Sequence, residues 1–167
     1  MRRLQVEPLS REAFVPFGEV IAATDAAAHF PINGGNTERY HDLAKLDAGP
    51  DGRLIVSIFR GQPRALPFTV GRLERHPLGS QAFMPLAAEP YLVVVAPPGA
   101  SPSASALRAF LAGPGQGVNY HPGVWHHPLL ALGRAADFLV IDRAGAGNNC
   151  DEISLAEDVL IELAAPA

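Results

Sequence analysis

Glycine and proline interrupt this chain throughout its length, and this punctuation limits the elements that it can form. Each of the two residues occurs sixteen times, and neither is pooled in a linker. The runs between them are short and rich in Val, Ile, Leu and Phe, a pattern typical of a sandwich or barrel of short strands. We predict strands at 54–60, 67–76, 81–86, 91–96, 107–111, 117–121, 125–132 and 137–143. These strands favour a single all-β jelly-roll domain over residues 1–167.

Helical signals are confined to the two ends of the chain. Ser10 can cap a short helical turn that Pro16 would stop. The tail 151–165 mixes acidic and apolar residues in a way that predicts a short amphipathic helix. We expect a turn at 33–36, where the sequence is Asn-Gly-Gly-Asn, and a surface loop at 96–106.

Composition narrows the class of partner and compartment. A hydrophobic content of 48% can supply a core, and a net charge of −4 argues against a nucleic-acid or membrane-surface partner. Cys150 is the only cysteine, so an internal disulfide is impossible and a reducing compartment fits. We see no apolar run near the roughly 20 residues of a membrane helix, and we predict a cytoplasmic protein. Lys45 is the only lysine, so Schiff-base chemistry has a single candidate.

Half of the six histidines lie in one short stretch, "GVNYHPGVWHHPL", at 117–129. One of them, His121, precedes a Pro-Gly turn and the only tryptophan, and the other two, His126 and His127, follow directly after that tryptophan. Because structural histidines are usually scattered, the cluster predicts a polar site on the rim of a β-structure, with a metal site among the readings. In a regular strand His127 would point away from His126, so we expect His127 to be structural.

A second polar segment ends the strand predicted at 67–76. Alternation puts one set of side chains on one face: Phe68, Val70, Arg72, Glu74 and His76. The face begins apolar and becomes polar, as in a strand that runs from a core to an open barrel mouth. Glu74 and His76 would then lie roughly 6–7 Å apart and reach one ion or ligand. The alternative is a surface ion pair. Gln81 follows a turn and can approach His76 from the next strand.

These two segments resemble the two motifs of the cupin superfamily. Residues 74–81 read E-x-H-x4-Q and residues 121–126 read H-x-G-x-x-H, against H-x-H-x(3,4)-E and P-x-G-x-x-H in cupins. The resemblance implies a double-stranded β-helix. It also implies a metal site made by Glu74, His76, Gln81 and His126. Glu74 stands where cupins have a histidine, and Gln81 stands where they have a glutamate. An amide oxygen is a poorer ligand than a carboxylate.

Four ordered segments are similar to the ureidoglycolate lyase family, long called ureidoglycolate hydrolases, and the similarity runs over nearly the whole chain. They are "ERYHDL" at 38–43, "LERHPLGSQAFMPL" at 73–86, the histidine stretch at 117–129 and "DFLVIDR" at 137–143. The resemblance implies a cupin-like homodimer that cleaves (S)-ureidoglycolate to glyoxylate and urea in allantoin degradation. It also implies a divalent metal, with nickel and manganese as candidates.

That reaction needs a base, an acid and an anchor for the substrate carboxylate. His76, His121, His126 and Glu74 are the candidates for proton transfer. If a metal binds, His121 or Glu74 remains free for this step. If no metal binds, Glu74 can act as the base and His76 as the acid.

Several further residues are candidates for substrate binding. Arg72 or Arg60 could hold the carboxylate in a bidentate pair; Arg72 could equally neutralise Glu74. Tyr120 and Asn119 could bond the urea group. Arg39, with His41, could close the site from the same or a neighbouring subunit, unless it lies on a solvated strand.

Other interpretations stay open at this point. Asp142 and Arg143 end a strand and either brace the site or pair across a dimer interface. Cys150 has no evident activating neighbour and is expected to be inert. A non-catalytic cupin-like module that binds a small carboxylic acid is the main alternative to an enzyme. A cupin oxygenase or isomerase would need redox-active iron and a fuller set of His and Glu ligands.

Overall fold

A computed structural model describes residues 1–163, and nearly all of its regular secondary structure is β-strand. A short helix, α1, spans Arg11–Phe14, and single 3-10 turns lie at Asn33–Gly35 and Ala104–Ala106. The strands are β1 Arg2–Leu4, β2 Val6–Pro8, β3 Gly18–Ile21, β4 His29–Ile32, β5 Thr37–Tyr40, β6 Gly52–Gly61, β7 Phe68–Arg75, β8 Gln81–Pro85, β9 Tyr91–Ala96, β10 Arg108–Ala112, β11 Gly117–Tyr120, β12 Trp125–His126, β13 Leu130–Ala131, β14 Ala136–Gly145 and β15 Asp151–Ile161. None of the described helices is long and apolar enough to cross a membrane.

Two sheets face each other and form a nearly closed barrel. The larger has the order β1-β15-β7-β12-β9-β10-β2, with β13 also paired to β9. The smaller has the order β3-β11-β8-β14-β6, and β4 and β5 form a separate hairpin. Most pairs are antiparallel, while β1 with β15 and β2 with β10 are parallel. This architecture confirms the predicted all-β, cupin-like jelly-roll.

Two apolar clusters cover the two faces of the larger sheet. The first fills the space between the sheets and includes Phe14, Phe83 and Phe138. The second lies on the opposite face of the larger sheet and includes Leu73 and Trp125. Strand β9 contributes alternate residues to both clusters and is buried along its whole length. A strand covered on both faces has no polar side, which explains its unbroken apolar sequence.

The predicted strands are found with small changes at their ends. The run at 125–132 is two short strands, because Pro128 lies between them and cannot donate a ladder hydrogen bond. The N-terminal turn is also found: the Ser10 hydroxyl accepts a hydrogen bond from the Ala13 amide at 3.2 Å. Strands β1 to β5 were not predicted from the sequence.

The predicted C-terminal helix is wrong. Asp151–Ile161 forms β15, which pairs antiparallel with β7 and parallel with β1. Its apolar residues recur at period two, and Val159 and Ile161 are buried in the second cluster. A strand uses this alternation to bury one face, and pairing with two distant strands supplies the hydrogen bonds. Residues 164 and 165 of the prediction lie outside the described part of the chain.

The predicted common face of β7 is interrupted by an irregularity. The register with β15 shifts between Ser154 and Val159, so several residues of β15 lie opposite one position of β7. Val70 and Leu73, three residues apart, both belong to the second cluster. Side chains alternate on either side of the irregularity, so Glu74 points into the barrel while Val70 points to the other face.

Candidate metal centre and active site

Four polar side chains from distant parts of the chain converge on the inner face of the barrel. His126 on β12 lies opposite Glu74 on β7 in the strand register. His76 follows the end of β7, and its ring centroid lies 5.1 Å from that of His126. Gln81 begins β8, and its amide oxygen lies 3.1 Å from Nε2 of His76. The two segments that carry the cupin-like motifs therefore meet in one place.

The carboxylate of Glu74 lies between the two imidazoles. Its Oε1 is 3.5 Å from Nε2 of His126 and 3.9 Å from Nε2 of His76. One nitrogen or oxygen atom from each of these three residues lies within 4.8 Å of the other two. His126 is only 1% exposed, so a cation at this point would be shielded from bulk water.

Backbone carbonyls fix which ring nitrogen carries the hydrogen. Nδ1 of His76 donates to the Asn149 carbonyl at 2.7 Å, and Nδ1 of His126 donates to the Val124 carbonyl at 3.1 Å. Nε2 of each neutral ring is then an acceptor. Nε2 of His126 is buried and makes no hydrogen bond within the described chain. A buried acceptor without a partner lowers the stability of the fold unless a cation or a proton binds to it.

The electrostatics of the cluster favour the ligand forms of these groups. Burial lowers the pKa of His126, and this effect outweighs the opposing influence of Glu74. Burial by itself would raise the pKa of Glu74, but the interaction with His126 and the charges of His76 and His127 leave it lowered. At neutral pH His126 is therefore neutral and Glu74 is anionic.

Tyr120 forms one wall of the cluster. Its ring stacks on His126 with centroids 4.2 Å apart and an interplanar angle of 7°. Burial, helped by Tyr91 and Glu74, raises the pKa of Tyr120 well above its usual range. The phenol therefore stays neutral and keeps its hydroxyl hydrogen for donation.

The residues present fit a divalent cation. A carboxylate and two imidazole nitrogens are ligands that first-row divalent metals accept, and the amide oxygen of Gln81 adds a weaker fourth. Glu74 also lies within the same distance of Cys150 and Glu152, but those two side chains are exposed. The inward group of Glu74, His76 and His126 is the better enclosed of the two.

Two predicted site residues lie on the other side of β11. His121 makes a close contact with Glu19, and Asn119 donates to the Lys45 carbonyl at 2.9 Å. Tyr120 packs in the first apolar cluster between the sheets, and its strand neighbours face the opposite way. His121 and Asn119 are thus separated from the Glu74 cluster.

Two of the predicted arginines also lie apart from the cluster. Arg60 forms a bidentate pair with Asp137, at 2.7 and 3.0 Å, on the outer side of the smaller sheet. Arg39 lies on the β4–β5 hairpin with its guanidinium 6.0 Å from the Phe30 ring. His41, beside the same hairpin, has a buried Nδ1 with no hydrogen-bond partner among residues 1–163. Arg72 is exposed, two residues before Glu74 in the chain, and its charge acts on His127.

His127 is a further candidate for the site, although the sequence analysis expected it to be structural. Its ring packs edge-on against Phe68 of the second cluster, with centroids 5.2 Å apart, and it also lines a small cavity with Tyr120 and Phe83. Its Nδ1 donates to the Pro128 carbonyl at 2.8 Å, which leaves Nε2 without a hydrogen in the neutral ring. Burial lowers the pKa of His127, and the charges of Arg64 and Arg72 add to this effect. Pro128 was the available signal, because it ends β12 and removes the regular alternation.

A jelly-roll barrel with two histidines, a carboxylate and an amide oxygen on its inner face defines a protein of the cupin class. Within that class the chain belongs to the ureidoglycolate lyase family, whose model matches residues 1–162. The family assignment agrees with the resemblance seen in the sequence.

Curated relatives extend over nearly the whole chain. It is 56% identical to the ureidoglycolate lyase of Pseudomonas syringae pv. syringae (strain B728a), over 98% of this chain and 96% of the relative. It is 58% identical to that of Burkholderia mallei (strain NCTC 10229), over 95% of this chain and 93% of the relative. Among solved structures, a dTDP sugar isomerase from Desulfovibrio desulfuricans G20 is a remote likeness, with a TM-score of 0.44 and 17% identity over 83% of this chain and 85% of that chain.

Proposed function

We propose that this chain is a carbon–nitrogen lyase that cleaves (S)-ureidoglycolate to glyoxylate and urea in allantoin degradation. The observation that carries the proposal is identity of 54–58% to curated ureidoglycolate lyases over nearly the full chain. The matched region includes both segments that form the inner cluster. A non-catalytic binding module is not favoured, because these relatives are lyases.

The substrate is a carbinolamide, in which one carbon bears a hydroxyl, a carboxylate and a urea nitrogen. A base removes the hydroxyl proton, and the electron pair on oxygen forms the carbonyl of glyoxylate. The carbon–nitrogen bond breaks, and an acid protonates the nitrogen of the departing urea. No covalent nucleophile is needed, so the site must supply only acid–base groups and an anchor.

Glu74, His76, Gln81 and His126 would hold a divalent metal, with nickel and manganese as the candidates. Such an ion acts as a Lewis acid and lowers the pKa of a bound hydroxyl. The rest of the chemistry belongs to this chain's own residues. Tyr120 supports the ring of His126 by stacking on it, and its phenol stays protonated.

Proton transfer without a metal would use Glu74 as the base and His76 as the acid, about 3.9 Å apart. With a metal bound, these two groups are ligands and another group must exchange the proton. His127 is better placed than His121, because its ring is close enough to Glu74 to help lower the pKa of that carboxyl, while His121 contacts Glu19. The Pro128 carbonyl fixes its ring so that Nε2 is the exchanging atom.

Arg72 is the proposed anchor for the substrate carboxylate. It lies next to Leu73, which faces the second cluster, so its own side chain emerges on the side of Glu74. It forms no ion pair within the described chain, whereas Arg60 is committed to Asp137. A free guanidinium can hold a carboxylate through two parallel hydrogen bonds.

We also propose a homodimer. Leu54, Val56 and Ile58 alternate along one face of β6, and Val56 and Ile58 are 67% and 54% exposed. β6 is the edge strand of the smaller sheet, so both this apolar face and its unpaired backbone are open to a second copy. We further propose one domain over residues 1–167 and a location in the cytoplasm. The exposed free thiol of Cys150 suits a reducing compartment.

The test is an assay of purified protein with (S)-ureidoglycolate, with urea and glyoxylate both measured before and after chelation. We expect stoichiometric release of the two products, its loss with chelator and its return with nickel or manganese. Unchanged turnover after chelation would assign the proton chemistry to Glu74 and His76 alone. Glyoxylate binding without urea release would overturn the lyase proposal.

A further inference from the structure

Asp142 lies directly behind the cluster. Its neighbour Ile141 on β14 pairs with Ala82 on β8, which places Asp142 beside Gln81 across the smaller sheet. The carboxylate oxygen Oδ2 of Asp142 accepts a hydrogen bond from the amide nitrogen of Gln81 at 3.1 Å. Gln81 is only 5% exposed, so little water is available to replace this partner.

This contact decides which way the Gln81 amide points. An ionised carboxylate accepts hydrogen bonds and cannot donate them, so only the NH₂ end of the amide can face Asp142. The carbonyl end is then turned to Nε2 of His76, at 3.1 Å. The Asn149 carbonyl holds the hydrogen of His76 on Nδ1. When the His76 ring is neutral, two acceptors therefore face each other without a hydrogen between them, next to the carboxylate of Glu74.

We propose that Asp142 is a positioning residue that keeps the cluster open for a divalent cation by fixing the polarity of the Gln81 amide. Without it, the amide can rotate by half a turn and donate its NH₂ to Nε2 of His76. That hydrogen bond would occupy the lone pair that a metal needs and would remove the oxygen ligand at the same time. The inference rests on the proposed metal centre and extends it to a residue that touches neither substrate nor metal.

The expected effect is on metal affinity. Partners that orient metal ligands from behind typically change affinity by about 10–100-fold when they are lost. In Asp142→Asn the new amide can either accept or donate, so it no longer selects one orientation of Gln81. We expect nickel or manganese to bind at least about tenfold more weakly to this variant in a calorimetric titration.

Loss of a negative charge could weaken cation binding for a simpler reason, and a double-mutant cycle separates the two causes. If Asp142 acts through Gln81, Asp142→Asn has little further effect in a Gln81→Ala background, within about twofold. If Asp142 acts by charge, it weakens binding equally in both backgrounds. Asp51→Asn, an exposed acid in the turn before β6, is the control for the same change of charge.

A double variant that exchanges the amide and the carboxylate between positions 81 and 142 distinguishes a loss of orientation from a loss of folding. In Gln81→Glu with Asp142→Asn, the donor moves to position 142 and a carboxylate oxygen faces His76. We expect this double variant to bind the metal at least as tightly as the native chain, and its melting temperature without metal reports the fold separately.

Four results would overturn the inference: no loss in Asp142→Asn, equal loss in both backgrounds, no recovery in the exchanged double variant, or no metal binding by the native chain. Turnover of ureidoglycolate is measured independently, so the lyase proposal stands or fails on its own.

Discussion

At the scale of single residues, three imidazoles in and beside the cluster are held by the same kind of hydrogen bond. His76, His126 and His127 each donate Nδ1–H to a backbone carbonyl, at 2.7, 3.1 and 2.8 Å. The backbone thus fixes both the ring orientation and the tautomer, and every Nε2 is left as an acceptor. The orientation of each ring is therefore set by the backbone and not by a bound ion.

His126→Gln tests this arrangement at its most buried ring. An amide is a poorer metal ligand than an imidazole and does not exchange protons near neutral pH. We expect kcat/KM for ureidoglycolate to fall by about 100-fold or more, together with a weaker metal titration. His29→Gln, on the exposed hairpin, is the matched control. Retention of native turnover by His126→Gln would remove this ring from the mechanism.

Gly18 is a second residue-scale constraint, because its backbone has φ of +147° and a Cβ there would lie 1.8 Å from the Asn119 carbonyl oxygen. We expect Gly18→Ala to lower the free energy of unfolding by about 2 kcal/mol or more. Gly34→Ala, at φ of +68° with open space around it, should cost only about 1 kcal/mol. Urea denaturation measures both, and equal costs would contradict the steric explanation.

At the scale of elements, β15 shows how pairing overrides a local pattern. The segment carries acidic and apolar residues that suit a helix, yet it lies between β1 and β7 and buries Val159 and Ile161. Its irregular register with β7 also decides that Glu74, and not Val70, faces the barrel. The C-terminal strand is therefore part of what orients the site.

Ile161→Ala should destabilise the fold by about 2–5 kcal/mol, because it leaves a cavity in the second cluster. Glu157→Ala changes an exposed residue of the same strand and should stay within about 0.5 kcal/mol of the native chain. Thermal or urea unfolding distinguishes the two. A negligible cost for Ile161→Ala would mean that this strand does not pack on the barrel in solution.

At the scale of the whole molecule, the outer face of β6 exposes the apolar side chains of Leu54, Val56 and Ile58. Ile58→Lys places a charge in the centre of the proposed dimer interface, where desolvation is costly. We expect this variant to elute as a monomer in light-scattering chromatography while retaining its fold. Val15→Lys, at another exposed apolar position, should remain dimeric. A native chain that is monomeric at micromolar concentration would contradict the dimer proposal.

The sequence by itself determined the all-β class and the strands between 52 and 145, and the two motif segments pointed to a shared site through their resemblance to cupins. The alternation of apolar residues and the positions of Gly and Pro are local properties of the sequence. The spacing of the motifs places His76 and His126 at the ends of strands. Only the tertiary structure decided that β15 is a strand, that His121 and Arg60 turn to Glu19 and Asp137, and that His127 enters the cavity. Each of these depends on a register, an irregularity or a partner far away in the chain, and a local period carries no information about them.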